Sequence, residues 1–381
     1  MTAPRVMVDR REIGRITSPG RGPTLMVVAG IHGNEPAGVE AARRVFARLE
    51  RGDIPVRGEL VVYAGNLEAL KKGVRYQVKD LNRQWNEATV AAVQQKPREQ
   101  LDAEDLEQLE LLKVLQAAID RARGRVHLAD FHTSSANGIP FIIFGDTLPQ
   151  RHFVRAFPIP VVIGLEEQVD GVLSAYWTRR GCVTFTVEGG QHTDPSSADS
   201  LEAALWIAME EAELIARDSL PELRRAHAVL EERRSNLPRV LEVVSRKSIT
   251  PEDAFKMEPG FRNLDHAPRG QLLARDKNGE IRAPANGMVI LPLYQGLGND
   301  GFFWGRAVSG ARLRTSEFLR TLGVDRFLRL LPGVERDTAH PSRFIINTKV
   351  AKLYPLDVFH MFGYRRLRQV GSELTVERQA E

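Results

Sequence analysis

The chain has a single cysteine in 381 residues, Cys182, so it cannot form an internal disulfide and fits a reducing compartment. Cys182 lies in an apolar strand pattern, which predicts a buried, inert thiol rather than a nucleophile. No apolar run approaches the ~20 residues needed to cross a bilayer. Residues 1–10 lack the apolar core of a signal peptide. A cytoplasmic protein without membrane contact is expected. An excess of one charge is also lacking: 53 Lys and Arg face 49 Asp and Glu, a formal net charge of +4. The positives are interleaved with negatives, as in residues 224–234. No basic stripe with interleaved aromatics appears, which argues against nucleic acid as a partner. Internal repeats and low-complexity tracts are missing as well.

What is present describes a globular enzyme-sized protein. At 43% hydrophobic and 27% charged, the chain can bury a sizeable core, and its length favours more than one domain. Apolar runs predict strands at 24–29, 60–64, 126–131, 141–145, 160–164 and 182–188. Helices are expected from Pro36 to about Glu50, over 99–122, and from about Ala198 to Arg217. The second of these carries Leu101, Leu106, Leu109, Leu112, Leu115 and Ile119 at helical spacing and closes at Gly124. This rhythm predicts an α/β fold: a mixed, mostly parallel sheet with helices on both faces, plus a smaller C-terminal β-rich domain. The expected division is 1–217 as catalytic domain, 218–239 as a charged helical linker, and 240–381 as the β-rich domain. In the last, Lys277-Asn278-Gly279 marks a hairpin between 271–274 and 280–283. Asn286-Gly287 marks a turn before a strand at 288–291, and 316–331 reads as a terminal helix followed by a strand-like segment.

The chemistry concentrates at strand ends. His32 and Glu35 follow the strand 24–29, His132 follows 126–131, and Glu188 follows 182–187. In an open α/β sheet, ligands bind in the crevice outside the carboxyl ends of the strands. A His-x-x-Glu pair alone occurs often by chance. Here Gly30 and Gly33 let the backbone turn sharply, Glu35 sits at a helix N-terminus, and a second histidine appears at another strand end. Two imidazoles and one carboxylate with an open position form the ligand set of a catalytic zinc site, so one zinc per chain is expected on His32, Glu35 and His132. Glu188 suits either a fourth ligand or a general base, and the Val-Glu-Gly-Gly context favours the base. In the segment 75–83, Arg83 and Asn82 are placed to clamp a substrate carboxylate, and Arg75 to hold an oxyanion. His127 is expected to be structural and His192 a loop histidine. Ser134 and Ser135 have no base assigned to them.

The order His-Gly-Asn-Glu, Arg-Tyr…Asp-Leu-Asn-Arg, Asp-Phe-His-Thr, Val-Glu-Gly resembles the succinylglutamate desuccinylase/aspartoacylase family, a relative of the zinc carboxypeptidases. The resemblance covers about 24–192 and extends loosely to 363–365. It implies a zinc carboxypeptidase-like fold, with zinc on His32, Glu35 and His132 and water activated by Glu188. It gives Asn82 and Arg83 to the substrate carboxylate and Arg75 to the oxyanion. Tyr176 and Arg180 have the spacing of a pair that contacts the acyl carboxylate. Tyr294 is the candidate for a tyrosine with which the C-terminal domain closes the site. The expected activity is metal-assisted hydrolysis of an N-acyl amino acid or similar small, carboxylate-bearing amide. A peptide-cleaving zinc carboxypeptidase needs the same centre and is the alternative. A carrier module is the reading from another class: 268–291 resembles a lipoyl or biotinyl hairpin with Lys277 near its tip, although an unmodified turn lysine is preferred. A homo-oligomer is compatible with the sequence, which does not fix the number of copies.

Overall fold

The computed structural model describes residues 8–217, 220–234, 236–351 and 356–378. Its centre is an eleven-stranded sheet. Eight of its strands are β1 (Glu12–Thr17), β2 (Thr24–Ala29), β3 (Glu59–Ala64), β4 (Val126–Ser134), β5 (Phe141–Ile143), β6 (Val161–Ile163), β7 (Val183–Gln191) and β8 (Val240–Ser248). They lie in the order β1-β3-β2-β4-β7-β5-β6-β8. Pairing is parallel for β3/β2, β2/β4, β4/β7, β5/β6 and β6/β8, and antiparallel only for β1/β3 and β5/β7. The expected mixed, mostly parallel sheet is therefore present. Beyond β8 it continues through the antiparallel strands Asp300–Ala307, Gly287–Ile290 and Asp265–Ala267.

The central strands Thr24–Ala29 and Glu59–Ala64 are buried along their whole length, as strands covered on both faces must be. Alternation divides β2 between two cores. Leu25, Val27 and Ala29 face the helices Ala37–Leu49 and Ser196–Glu211, while Met26 and Val28 face Ala103–Arg121. Helices thus cover both faces. β3 and β4 flank β2 on opposite sides, and the connections to them run over opposite faces, Ala37–Leu49 leading to β3 and Ala103–Arg121 to β4. A crevice therefore opens at the carboxyl ends of β2 and β4.

Several element ends differ from the sequence reading for local reasons. The helix expected at 99 begins at Ala103, because Asp102 caps it and forms a reciprocal capping box with Asp105. The helix expected to reach Arg217 stops at Glu211, and Glu213 then takes φ +61°, which no helix can include. The charged segment 218–236 contains the helix Pro221–Arg233; residues 218, 219 and 235 lie outside the described residues. The terminal helix runs over Gly310–Thr321, capped by Ser309, and Gly323 at φ +60° separates it from a 3-10 stretch at Val324–Leu330. The hairpin Leu272–Asp276 with Gly279–Arg282 forms as expected. The strand-like tail is part of a four-stranded antiparallel sheet that also takes in Val334–Arg336 and Arg343–Asn347.

Candidate active site

The register of the sheet assembles the cluster. Ala29 of β2 pairs with Phe131 of β4, so the turn carrying His32 lies beside His132, and His132 pairs in turn with Glu188 on β7. The turn itself is tightly made. Gly30 has φ +74°, and a Cβ on Gly33 would stand 2.1 Å from the Ala69 backbone. Glu35 lies just ahead of the helix Ala37–Leu49, and His32, Glu35 and His132 are all buried.

Glu35 sits between the two imidazoles. Its Oε1 is 2.9 Å from His32 Nδ1 and its Oε2 is 3.1 Å from His132 Nδ1. The backbone N–H of Thr133 donates to the same Oε2 at 2.9 Å. On the far side of each ring stands a further carboxylate. His32 Nε2 is 3.0 Å from Asp80 Oδ1, and His132 Nε2 is 2.9 Å from Asp130 Oδ2. A carboxylate in an ion pair only accepts, so these contacts place a proton on each Nε2. With Glu35 ionised the same rule puts a proton on each Nδ1 as well, and against the effect of burial Asp130 and Glu35 raise His132 well above the ordinary imidazole value. Release of the two Nδ1 protons leaves three acceptors around one space, which a cation can fill. The candidate ligand atoms lie within 4.8 Å of one another. A tetrahedral zinc with ligands at 2.0–2.1 Å would set them roughly 3.3 Å apart. The donor set therefore fits a metal, and Asp80 and Asp130 orient and polarise the two imidazoles that would hold it. Burial opposes ionisation of Glu35, yet charge on His32 and hydrogen bonds from both histidines hold it well below the ordinary carboxylate range.

Glu188 faces the same cavity from β7 and is in a different state. Burial pushes its carboxyl up to about 8; the downward pull of His132 is offset by the negative charges of Glu35 and Asp130. Its Oε2 is buried without a hydrogen-bond partner. Arg75 also lines the cavity, with Nη2 donating to Asp80 Oδ2 at 2.9 Å and Nη1 lying 3.5 Å from Glu35.

The cavity, about 120 Å³ in volume, brings together His32, Glu35, Arg75, Asn82, Arg83, His132 and Glu188. Asn82 is already engaged: its Oδ1 accepts from the Leu173 N–H at 2.8 Å, and its Nδ2 lies 3.5 Å from Asp130. Three residues expected at the site are elsewhere. Tyr176 and Arg180 are not among the cavity residues; the Arg180 guanidinium stacks 3.5 Å over the Tyr176 ring and pairs with Glu87 at 2.7 Å, outside the cleft. Tyr176 lies in the helix Leu173–Thr178 and Arg180 in the turn just past its end, so the chain folds the guanidinium back onto the ring. Tyr294 also lies outside the cavity lining, its hydroxyl donating to the Glu258 carbonyl at 2.8 Å and accepting from the Phe261 N–H at 3.0 Å.

Other residues were not singled out for the site from sequence. His192 lines the cavity, with Nδ1 2.8 Å from Thr133 Oγ1 and Nε2 3.3 Å from Gln295 Oε1. Its closeness in sequence to Glu188 was the available signal. Leu291, Leu293, Gln295 and Asp300 come from the C-terminal part and cover one side of the cavity. His127 is away from it, stacked on Phe153 at 4.8 Å between ring centres. Burial pushes the Cys182 thiol up to about 12, consistent with an inert side chain. Ser134 Oγ donates to the Ala136 carbonyl, and Ser135 Oγ accepts from the Tyr294 N–H.

The family described as "Succinylglutamate desuccinylase/Aspartoacylase catalytic domain" matches residues 21–209. That segment belongs to this hydrolase family. The chain is 29% identical over 280 residues to a succinylglutamate desuccinylase of Ectopseudomonas mendocina, covering 68% of this chain and 76% of that one. With the succinylglutamate desuccinylase of Pseudomonas fluorescens (strain Pf0-1), identity is 42%, but over 65 residues only, 17% of this chain and 19% of the relative. A succinylglutamate desuccinylase/aspartoacylase structure from Rhodobacter sphaeroides superposes with a TM-score of 0.57 at 16% identity, covering 78% of this chain and 88% of that one, and shares the fold.

Proposed function

We propose that the protein is a zinc-dependent deacylase that hydrolyses the amide bond of a small N-acyl amino acid. The observation that carries this reading is the convergence of three buried potential ligands, His32 Nδ1, Glu35 and His132 Nδ1, in one cavity with a carboxyl oxygen of Glu188 that has no partner. His32, Glu35 and His132 would hold the ion. Zinc supplies Lewis acidity and brings the pKa of a water to roughly 7.

The remaining work falls to the chain. Glu188 takes a proton from the attacking water and passes it to the departing amine nitrogen, leaving a carboxylate and a free amine. Its buried carboxyl, with one oxygen free of partners, suits a group that must both accept and return a proton. Arg75 donates to the carbonyl oxygen as negative charge builds on it. The loop 291–300 covers one side of the cavity, which favours a small amide over a peptide and supports the deacylase above the carboxypeptidase.

Two measurements test the reading. The purified protein should carry about one zinc per chain, and His32→Ala or His132→Ala should lose it; stoichiometric zinc in both variants would show that the ligands lie elsewhere. A screen of N-acetyl, N-succinyl and N-formyl amino acids against blocked dipeptides should release amine from the first group. Cleavage of the dipeptides alone would select the carboxypeptidase. The hairpin lysine is tied down, Lys277 Nζ standing 2.9 Å from Asp253, and an intact mass without lipoyl or biotinyl addition is expected. Among the described residues, no helix is long and apolar enough to cross a membrane.

A further inference from the structure

Arg83 already has a carboxylate. Its Nη2 donates to Asp300 Oδ2 at 2.7 Å, and its Nη1 donates to the Asn82 carbonyl at 2.8 Å. The other oxygen of Asp300 accepts from Nε of Arg246, whose Nη1 is held by the Gln168 carbonyl at 3.0 Å. Each oxygen of Asp300 is thus taken by a different guanidinium. Arg83 and Asp300 both line the cavity that holds the metal-ligand cluster. Asp300 is fixed there by the sheet, because it opens the strand Asp300–Ala307 and pairs with Ser248 on β8. Its side chain is 12% exposed.

The planar fork of an arginine receives a carboxylate through two parallel N–H donors. Both terminal nitrogens of Arg83 are engaged from within the chain. A substrate carboxylate arriving at Arg83 would meet the like charge of Asp300 at a few ångströms in a poorly hydrated place, where repulsion is weakly screened. A neutral polar group in the same position would meet no such repulsion. The neighbouring wall of Leu165, Val169, Val172, Leu293 and Phe303 is apolar, and Arg75, the other arginine lining the cavity, is engaged by Asp80 at 2.9 Å.

We propose that Asp300 is a specificity-determining residue: an internal carboxylate that occupies the anion subsite at Arg83 and disfavours substrates bearing a carboxylate there. This rests on the deacylase reading of the same cavity and narrows its substrate class. A carboxylate-bearing amide enters by displacing Asp300 from Arg83, with Arg246 retaining it; an amide without that charge enters directly. Selectivity of this kind works by repelling the competitor as well as by attracting the ligand.

The test uses a matched pair of probes, N-acetyl-L-alanine and N-acetyl-L-alaninamide, which differ at the carboxylate. Dissociation constants for both are measured by ligand-observed NMR on the zinc-loaded full-length protein, and amine release is followed separately. In Asp300→Asn the preference for the carboxylate probe over the carboxamide should rise about tenfold relative to wild type, the equivalent of roughly 1.4 kcal/mol. Asp300→Glu, which keeps the charge, should stay within about twofold of the wild-type preference. An unchanged preference in Asp300→Asn, equal weakening of both probes, failure of that variant to bind the carboxylate probe, or the same shift in Asp300→Glu would each overturn the proposal. Because binding is read without turnover, a shifted preference with no amine release upholds the anion subsite and sinks the deacylase reading. Amine release with an unshifted preference does the reverse.

Discussion

Two buried clusters of charge lie in this molecule, and they are built on opposite plans. At the joint between the catalytic strands and the C-terminal part, Asp146 is met by Arg151, Arg320 and Arg365. Beside it, Glu167 is paired with Arg365 at 2.9 Å and with His360 at 3.0 Å, and accepts the Arg366 N–H at 2.9 Å. Burial alone would raise these acids, yet the surrounding guanidinium groups hold Asp146 far below the ordinary range and bring Glu167 to about 2. In the cleft the balance is reversed. Glu35, Asp80, Asp130 and Glu188 share Arg75 and two histidines, and Glu188 rises to about 8. The first cluster pairs each of these two carboxylates with cations of the chain, while Arg365 Nε stays buried without a partner. The second has an excess of acceptors that a cation and a substrate can use.

The largest expected effect attacks the cleft. Glu188→Gln should keep its zinc, since the amide has the same shape and the ligands remain, while kcat falls by a factor on the order of 10² to 10⁴. Loss of zinc in that variant would make Glu188 a ligand and the site closed; near-full activity would put the base elsewhere. The joint should respond in stability instead. Asp146→Asn leaves Arg320, whose side chain has 0% exposure, facing a neutral partner. Removing one member of a buried ion pair costs about 3–5 kcal/mol. Urea unfolding should show a loss of that order with zinc content unaltered, and a change below about 0.5 kcal/mol would deny the joint its structural weight.

Acid should separate the two regions more gently. Glu167 and Glu242 titrate near 2 in the folded protein, below the ordinary carboxylate value of about 4.3. A depressed pKa stabilises the fold fully above the unfolded value and loses that contribution as pH falls towards the folded one. Calorimetric Tm should therefore decline as pH is lowered from about 4.5 to about 2, and Glu167→Gln should flatten part of the slope. An identical slope in the variant would assign the acid sensitivity to other groups. The smallest effect is expected at Arg180→Ala, where a partly exposed pair with Glu87 and a stacked ring are lost. Stability should drop by about 1 kcal/mol or less, and KM for N-acyl amino acids should stay within error. A KM rise of tenfold would return Arg180 to the substrate.

Much of this was readable along the chain, and the exceptions share a cause. His32, Glu35, His132 and Glu188 each stand at the end of an apolar run, so local pattern placed them at the crevice and the parallel register brought them together. Asp80 and Asp130 were visible inside the motifs, but only the folded geometry shows which ring nitrogen each one holds. Asp300 lies 217 residues from Arg83 at the first position of a strand that follows a glycine-rich stretch, so nothing local announces the pairing. β1, Glu-Ile-Gly-Arg-Ile-Thr, escaped notice because an exposed edge strand lacks an apolar run. Short apolar runs such as Phe141–Ile143 predict a strand but carry no direction, and β5 runs antiparallel to β7. At Tyr176 and Arg180 the motif spacing coincides with a local stack of the guanidinium on the ring, outside the cavity lining.

The continuity of the sheet through β8 has a consequence for how the chain can be divided. β8 pairs with β6 on one side and with Asp300–Ala307 on the other. A polypeptide ending before Val240 would leave Val161–Ile163, buried throughout, as a raw margin of unpaired amides and carbonyls, a ready template for self-association. It would also lack the wall that carries Asp300. The strands that carry the His32, Glu35 and His132 cluster and the strand that carries Asp300 are woven on one loom, so a gene fragment encoding the first alone would expose an edge that the whole chain keeps paired.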